Sequence, residues 1–195
     1  MTERHRERRY LDQYFTPLET ATRLTRLLPI KPTDSVCEPH VGAAAWLRAV
    51  RDIHPTHSGD LIAMDLDPTA PGLHRTSVAT HRDVGDFLDD ADWTGHRPDW
   101  MLGNPPYGRA RVKDGVRMKK DVPIAEAHIR TALSRTGRHV CFLLRHGILA
   151  TAKRAAGIWQ EHPPRMIWTL GWRPSFTADG GNDRYDYAFI WWDLE

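Results

Sequence analysis

The sequence predicts an α/β domain, a mostly parallel, doubly wound sheet of seven strands with helices on both faces and an antiparallel hairpin at one edge. Three observations carry this expectation. Short apolar runs alternate with segments of helical periodicity along most of the chain. The last two apolar runs have no helix between them, so they should pair antiparallel. Several runs end in a carboxylate or a turn at the side where open α/β sheets bind ligands.

Taken in order, Thr16-Pro17-Leu18-Glu19 has the form of a capping box, with Thr16 as N-cap and Pro17 at the first helical position. Leu18, Ala21, Leu24, Leu27 and Leu28 continue it as a helical stripe ending at Pro29. Ser35 to Glu38 is a first strand, followed by a turn over Pro39 to Gly42 and a helix from about Ala43 to Ile53. Leu61 to Asp65 is a second strand, Val78 to His81 a third, and Trp100 to Gly103 a fourth. A helix over Val122 to Arg135, stopped by Gly137, leads into a buried strand at Val140 to Leu144. A helix over Ile148 to Gln160 precedes the final strands, Met166 to Leu170 and Tyr187 to Trp192.

A chain of 195 residues supports one well-buried domain, here residues 14–195 after a basic lead-in at 1–13. That lead-in interleaves Arg4, Arg6, Arg8 and Arg9 with Glu3 and Glu7, as a solvated segment does. Apolar residues at 41% and charged residues at 27% are an ordinary globular balance. No apolar run approaches the ~20 residues that span a bilayer. The first residues lack the apolar stretch of a signal peptide, so a cytoplasmic protein with no membrane partner is expected. Cys37 and Cys141 sit in apolar strands and read as buried free thiols. The eleven histidines form no H-x-x-x-H pair and no Cys-x-x-Cys exists, so no metal site is expected. Net charge is only +2, yet six cations stand against the single Asp114 between Gly108 and Lys120. Arg109, Arg111 and Lys113 of that run follow directly after the strongest motif in the chain, a placement suited to phosphate contact.

That motif is Asn104-Pro105-Pro106-Tyr107, at the end of the fourth apolar strand. Each proline fixes φ and removes an N–H, and the residue before a proline is pushed out of the helical region. The chain leaves the strand stiff, extended and rich in bare acceptors. An exocyclic amine on an aromatic ring needs such a surface. Its lone pair is delocalised into the ring; two acceptors, the Asn104 side-chain oxygen and the Pro105 carbonyl, can each take one amine hydrogen and free that pair for attack. The gain is electrostatic and positional, with no strong base. Tyr107 can stack on the ring. A rigid turn with a core tyrosine is the plainer reading of the same residues.

Asn104-Pro-Pro-Tyr107 resembles the catalytic motif of S-adenosylmethionine-dependent amino-methyltransferases, especially the adenine-N6 DNA methyltransferases, in a small phage-like form without a target-recognition domain. The rest of the chain is similar in the same order. Tyr14-Phe15-Thr16-Pro17 resembles the N-terminal motif that touches the methionine end of the cofactor. Glu38, Pro39 and Gly42 resemble the cofactor loop after the first strand. Asp65, with Leu66 after it, resembles the carboxylate that holds the ribose hydroxyls; Asp67 is its rival, two residues on. Asp86 and Phe87 are similar to the pair that meets the cofactor's adenine. Phe176, with Trp172 as its rival, resembles the second aromatic face against the target base. The resemblance implies a Rossmann-like class I methyltransferase fold, S-adenosyl-L-methionine as cofactor, and methyl transfer to adenine N6 in DNA. It implies nucleic acid as partner, with a specificity subunit or a second copy as a source of sequence recognition. One departure stands out. Gly42-Ala43-Ala44 replaces the G-x-G of many relatives, and alanine adopts positive φ less cheaply than glycine. RNA adenine or a protein glutamine could meet the same acceptor surface, and a catalytically idle nucleic-acid-binding subunit would carry the same fold.

Overall fold

In the computed structural model of the chain, residues 15–75, 77–107, 124–176 and 184–195 are described. Seven strands form one sheet: β1 (Val36–Glu38), β2 (Leu61–Asp65), β3 (His81–Val84), β4 (Trp100–Gly103), β5 (His139–Arg145), β6 (Met166–Thr169) and β7 (Tyr187–Asp193). Their spatial order is β3-β2-β1-β4-β5-β7-β6. The first five run parallel, and β7 enters antiparallel between β5 and β6. The expected architecture is present, hairpin included.

The inner strands β2, β4, β5 and β7 are apolar on both faces because both faces are covered. Leu61, Ala63, Trp100, Leu102, Cys141, Leu143, Phe189 and Trp191 join one core with α1 (Leu18–Thr25) and α2 (Ala45–Ile53). The alternate residues Ile62, Met64, Met101, Val140, Phe142, Leu144, Ile190 and Trp192 join the other with α3 (Ile124–Arg135). Cys37 and Cys141 are free and buried, and burial pushes both thiols up. Among the described residues no helix is long and apolar enough to cross a membrane.

Three local expectations are corrected. The third strand lies at His81–Val84, three residues beyond the apolar pair Val78-Ala79. As an edge strand it hydrogen-bonds only to β2 and exposes most of its side chains, so its residues are polar, whereas Ala79 packs into the core. The helix expected over Ile148 to Gln160 is broken into a 3-10 turn, His146–Leu149, and two single turns, α4 (Ala152–Ala155) and α5 (Ile158–Glu161). Gly157 leaves helical geometry at φ −111, ψ −111 between them, and Thr151 caps α4 by accepting from Arg154 N. Thr16 does not cap α1. Pro17 is the N-cap, with no side-chain hydrogen bond, and Thr16 is buried instead.

Candidate active site

Because β3, β2, β1 and β4 are adjacent and parallel, their C-terminal ends share one edge of the sheet. Along it stand, in order, Asp86 just past β3, Asp65 ending β2, Glu38 ending β1, and Asn104 just past β4. The strand order reverses between β1 and β4, where ligands enter such sheets.

Glu38 is buried, and its Oε2 accepts the backbone N–H of Leu47 at 3.1 Å. Burial holds its carboxyl well above the usual range, against the lowering pull of the N–H groups of Leu47 and Trp46. The residue therefore closes the N-terminus of α2, whose own N-cap, Ala44, has no side-chain acceptor. Asp65 ties the next loop. Its Oδ2 accepts from Gly42 N at 2.9 Å and its Oδ1 from Asp67 N at 3.0 Å, while burial raises its pKa. Its rival Asp67 is occupied in a turn of its own, accepting from Thr69 N (2.8 Å) and Thr69 Oγ1 (2.6 Å). Leu66, between them, is 54% exposed.

The loop after β1 resolves the missing second glycine. Gly42 has φ +46, and Ala44, at φ +59, takes a left-handed conformation that favours glycine. That conformation costs an alanine on the order of 1 kcal/mol. The surroundings impose it: Gly72 N donates to Gly42 O at 2.7 Å, and Val41 N to Met64 O at 2.9 Å. A Cβ on Gly42 would meet the Phe15 ring at 2.8 Å, so Phe15 lies directly on the loop, beside buried Thr16 and half-buried Pro17. Pro39 is buried beneath it.

Asp86 accepts from Leu88 N at 2.9 Å, an Asx turn, and its own N–H donates to Asp92 at 2.8 Å. Phe87 is 2% exposed, with its ring against His40, Trp93 and His128. Arg135 stacks over the Phe87 ring and donates to the Phe87 and Asp89 carbonyls. In this arrangement Phe87 is a buried apolar anchor beside the Asp86 turn.

Pro105 is buried; Asn104, Pro106 and Tyr107 are half-buried. The Tyr107 phenol reaches back to β5, donating to Leu143 O at 2.8 Å and touching Asn104 Oδ1. Its ring is edge-on to Tyr187 and lies under the guanidinium of Arg145. Half-buried Phe176 packs on Tyr187 at 5.2 Å, at the margin of the core. Trp172 lies elsewhere, with Arg23 over its ring at 4.0 Å. The aromatic residue presented near Tyr107 is Tyr185, 51% exposed, also against Arg145. Tyr185 was not singled out by sequence, although an aromatic residue just ahead of the last strand is a readable signal. Gly72 and Arg145 carried no signal at all. Tyr14, Arg109, Arg111 and Lys113 lie outside the described residues.

Two further groups border the site or oppose it. The His40 and His128 rings lie tilted against each other, centroids 4.5 Å apart, with all four ring nitrogens buried and without hydrogen-bond partners among the described residues. Burial lowers both pKa values, that of His128 to about 3, so both rings are neutral. At the opposite end of the sheet, His139, Asp193 and Glu195 bring potential ligand atoms within 4.8 Å of one another. Arg138 binds Glu195 at 2.6 Å and Arg165 binds Asp193 at 2.7 Å, so that group is an ion-pair network.

The fold is the Rossmann-like fold of class I methyltransferases. No family model matches the chain, and no curated protein matches it. Solved structures do. It superposes with a TM-score of 0.68 and 14% identity on a proposed class I S-adenosylmethionine-dependent methyltransferase from Listeria monocytogenes, covering 92% of this chain and 60% of that one. For a type I restriction-modification methyltransferase subunit from Streptococcus thermophilus the TM-score is 0.71 at 16% identity, over 93% of this chain and 45% of the subunit. For a proposed RNA methyltransferase from Pyrococcus horikoshii it is 0.66 at 14% identity, over 94% and 88%. The chain thus spans less than half the length of the restriction-modification subunit it resembles.

Proposed function

We propose that this chain transfers a methyl group from S-adenosyl-L-methionine to the exocyclic N6 amine of adenine in DNA. The observation that carries the reading is the position of Asn104-Pro-Pro-Tyr107 at the strand-order reversal, one strand from Glu38 and two from Asp65.

The residues fit the cofactor. The Asp65 carboxylate receives the backbone N–H groups of Gly42, Asp67 and Leu66, and a carboxylate's roughly four acceptor positions leave capacity for a hydroxyl. Asp86 to Asn104 spans three strand spacings, roughly 14 Å, room for an extended nucleoside with an amino-acid tail. Phe15, 40% exposed over Gly42, and exposed Leu66 offer apolar contact at either end of Asp65. When bound, S-adenosyl-L-methionine supplies an electrophilic methyl group on sulfonium.

The chain's own contribution is to hold the amine. A phenol has one proton, and Tyr107, in contact with both Leu143 O and Asn104 Oδ1, can place it on Leu143 O. Asn104 Oδ1 and the Pro105 carbonyl then take one amine hydrogen each, and an adenine turned out of the helix stacks at Tyr107. The basic residues Arg109, Arg111 and Lys113, following next in the chain, supply phosphate contact. Sequence recognition comes from a specificity subunit or a second copy. A restriction-modification methyltransferase subunit and a proposed RNA methyltransferase share this fold alike, so DNA is separated from RNA by experiment.

Incubation with labelled cofactor and unmethylated DNA, RNA or protein, followed by nucleoside mass spectrometry, tests this. N6-methyladenine in DNA is expected; its absence from DNA and RNA alike overturns the reading, and label in RNA alone or protein alone redirects it.

A further inference from the structure

Arg145 ends β5, and its guanidinium carbon lies over two rings at once, 4.7 Å from the Tyr107 centroid and 4.1 Å from that of Tyr185. The backbone enforces this corner. Arg145 is in register with Tyr187 on β7, and His146 N donates to Asp186 O at 2.8 Å, so Tyr185 is carried to the end of β5. Tyr107 is delivered to the same point by its hydrogen bond to Leu143 O. The corner is reachable from solvent, since Tyr185 is 51% exposed and Tyr107 and Arg145 are only half-buried.

A guanidinium is planar, delocalised and weakly hydrated, the side chain closest in shape to a stacked base. Here it covers a face of the tyrosine on which, in the proposed function, the target base stacks. Base-on-aromatic stacking is worth more than an exposed cation–π contact, so a base can displace it. The displaced guanidinium would be poor company for an uncharged nucleoside, but it matches a phosphate in a two-pronged hydrogen bond. Displacement therefore taxes a free nucleoside and is offset for a base that arrives on a phosphate backbone.

We propose that Arg145 is a placeholder in the base-binding corner, stacked on Tyr107 and Tyr185 in the nucleic-acid-free protein, which yields to a base only when a backbone phosphate takes its charge. Arg145 thereby selects polynucleotide over free adenine compounds. This rests on the reading of Asn104–Tyr107 as the amine-binding motif.

The test uses the full chain and two fluorescent probes, 2-aminopurine riboside and a single-stranded oligonucleotide carrying 2-aminopurine. Arg145→Ala should bind the riboside about five-fold tighter and the oligonucleotide about five-fold weaker, responses of opposite sign. Arg145→Lys, which keeps the stem and charge without the flat stack, should tighten the riboside and leave the oligonucleotide near wild type; it stays informative if Arg145→Ala fails to fold. Tyr185→Ala should weaken both. Riboside affinity that is unchanged or reduced in both Arg145 variants overturns the placeholder. Opposite-sign responses without methyl transfer overturn the enzymatic reading alone, whereas methyl transfer with unaltered probe binding in the variants overturns the placeholder alone.

Discussion

Glu38 and Leu47, nine positions apart, are joined by a 3.1 Å hydrogen bond from the Leu47 N–H to the Glu38 carboxylate. The end of β1 thereby supplies the cap that α2 lacks at Ala44. Burial raises the Glu38 pKa well above its ordinary 4.5, so the native state binds the proton more tightly than the unfolded chain does. The stability it contributes is full below about pH 4.5 and is lost as pH climbs from there through the raised value. Glu38→Gln keeps an acceptor and cannot ionise. Urea unfolding from pH 4 to 8 should show the variant gaining on wild type as pH rises; parallel curves would contradict the buried ionisation.

Asp65 holds the loop after β1 through Gly42 N at 2.9 Å. Asp65→Ala leaves that N–H and the Asp67 N–H without their charged acceptor. Each such bond contributes about 1.5–3 kcal/mol. Cofactor affinity by calorimetry should fall at least ten-fold, with a lower melting temperature. Unchanged affinity would remove Asp65 from the cofactor-binding set.

Gly72 touches no proposed ligand, yet an added Cβ would sit 2.8 Å from Val41 Cγ2 and 2.9 Å from Ala44 N. Gly72→Ala should therefore push the 41–44 loop away, costing about 1–3 kcal/mol of stability, and weaken cofactor binding in parallel. Gly171→Ala, with nothing within 4 Å, is the control. It should stay within about 0.5 kcal/mol of wild type.

Asn104→Ala should abolish methyl transfer while cofactor affinity stays close to wild type, because the side chain acts on the amine alone. Tyr107→Phe removes the bond to Leu143 O and should cost about 1 kcal/mol of stability. Its turnover should fall less than that of Asn104→Ala, since the ring remains for stacking. Retained turnover in Asn104→Ala would dismiss the assigned role.

The broad fold was readable because strand and helix periodicities are local. β2 and β4 were located to the residue, since each is a short apolar run buried on both faces. β3 was missed by three residues because an edge strand does not need an apolar pattern. The broken helix after β5 was missed because Gly157 interrupts a stretch whose spacing otherwise suits a helix.

The sequence by itself determined the order of the motifs and the stiffness of Asn104-Pro-Pro-Tyr107, since both depend on residue type and neighbours alone. Only tertiary structure decided what each group faces. It turned Glu38 toward α2, buried Phe87 beneath Arg135, forced Ala44 into a glycine's conformation, and set Arg145 between Tyr107 and Tyr185. Those outcomes depend on contacts between residues from 9 to 48 positions apart, which residue type and immediate neighbours do not encode.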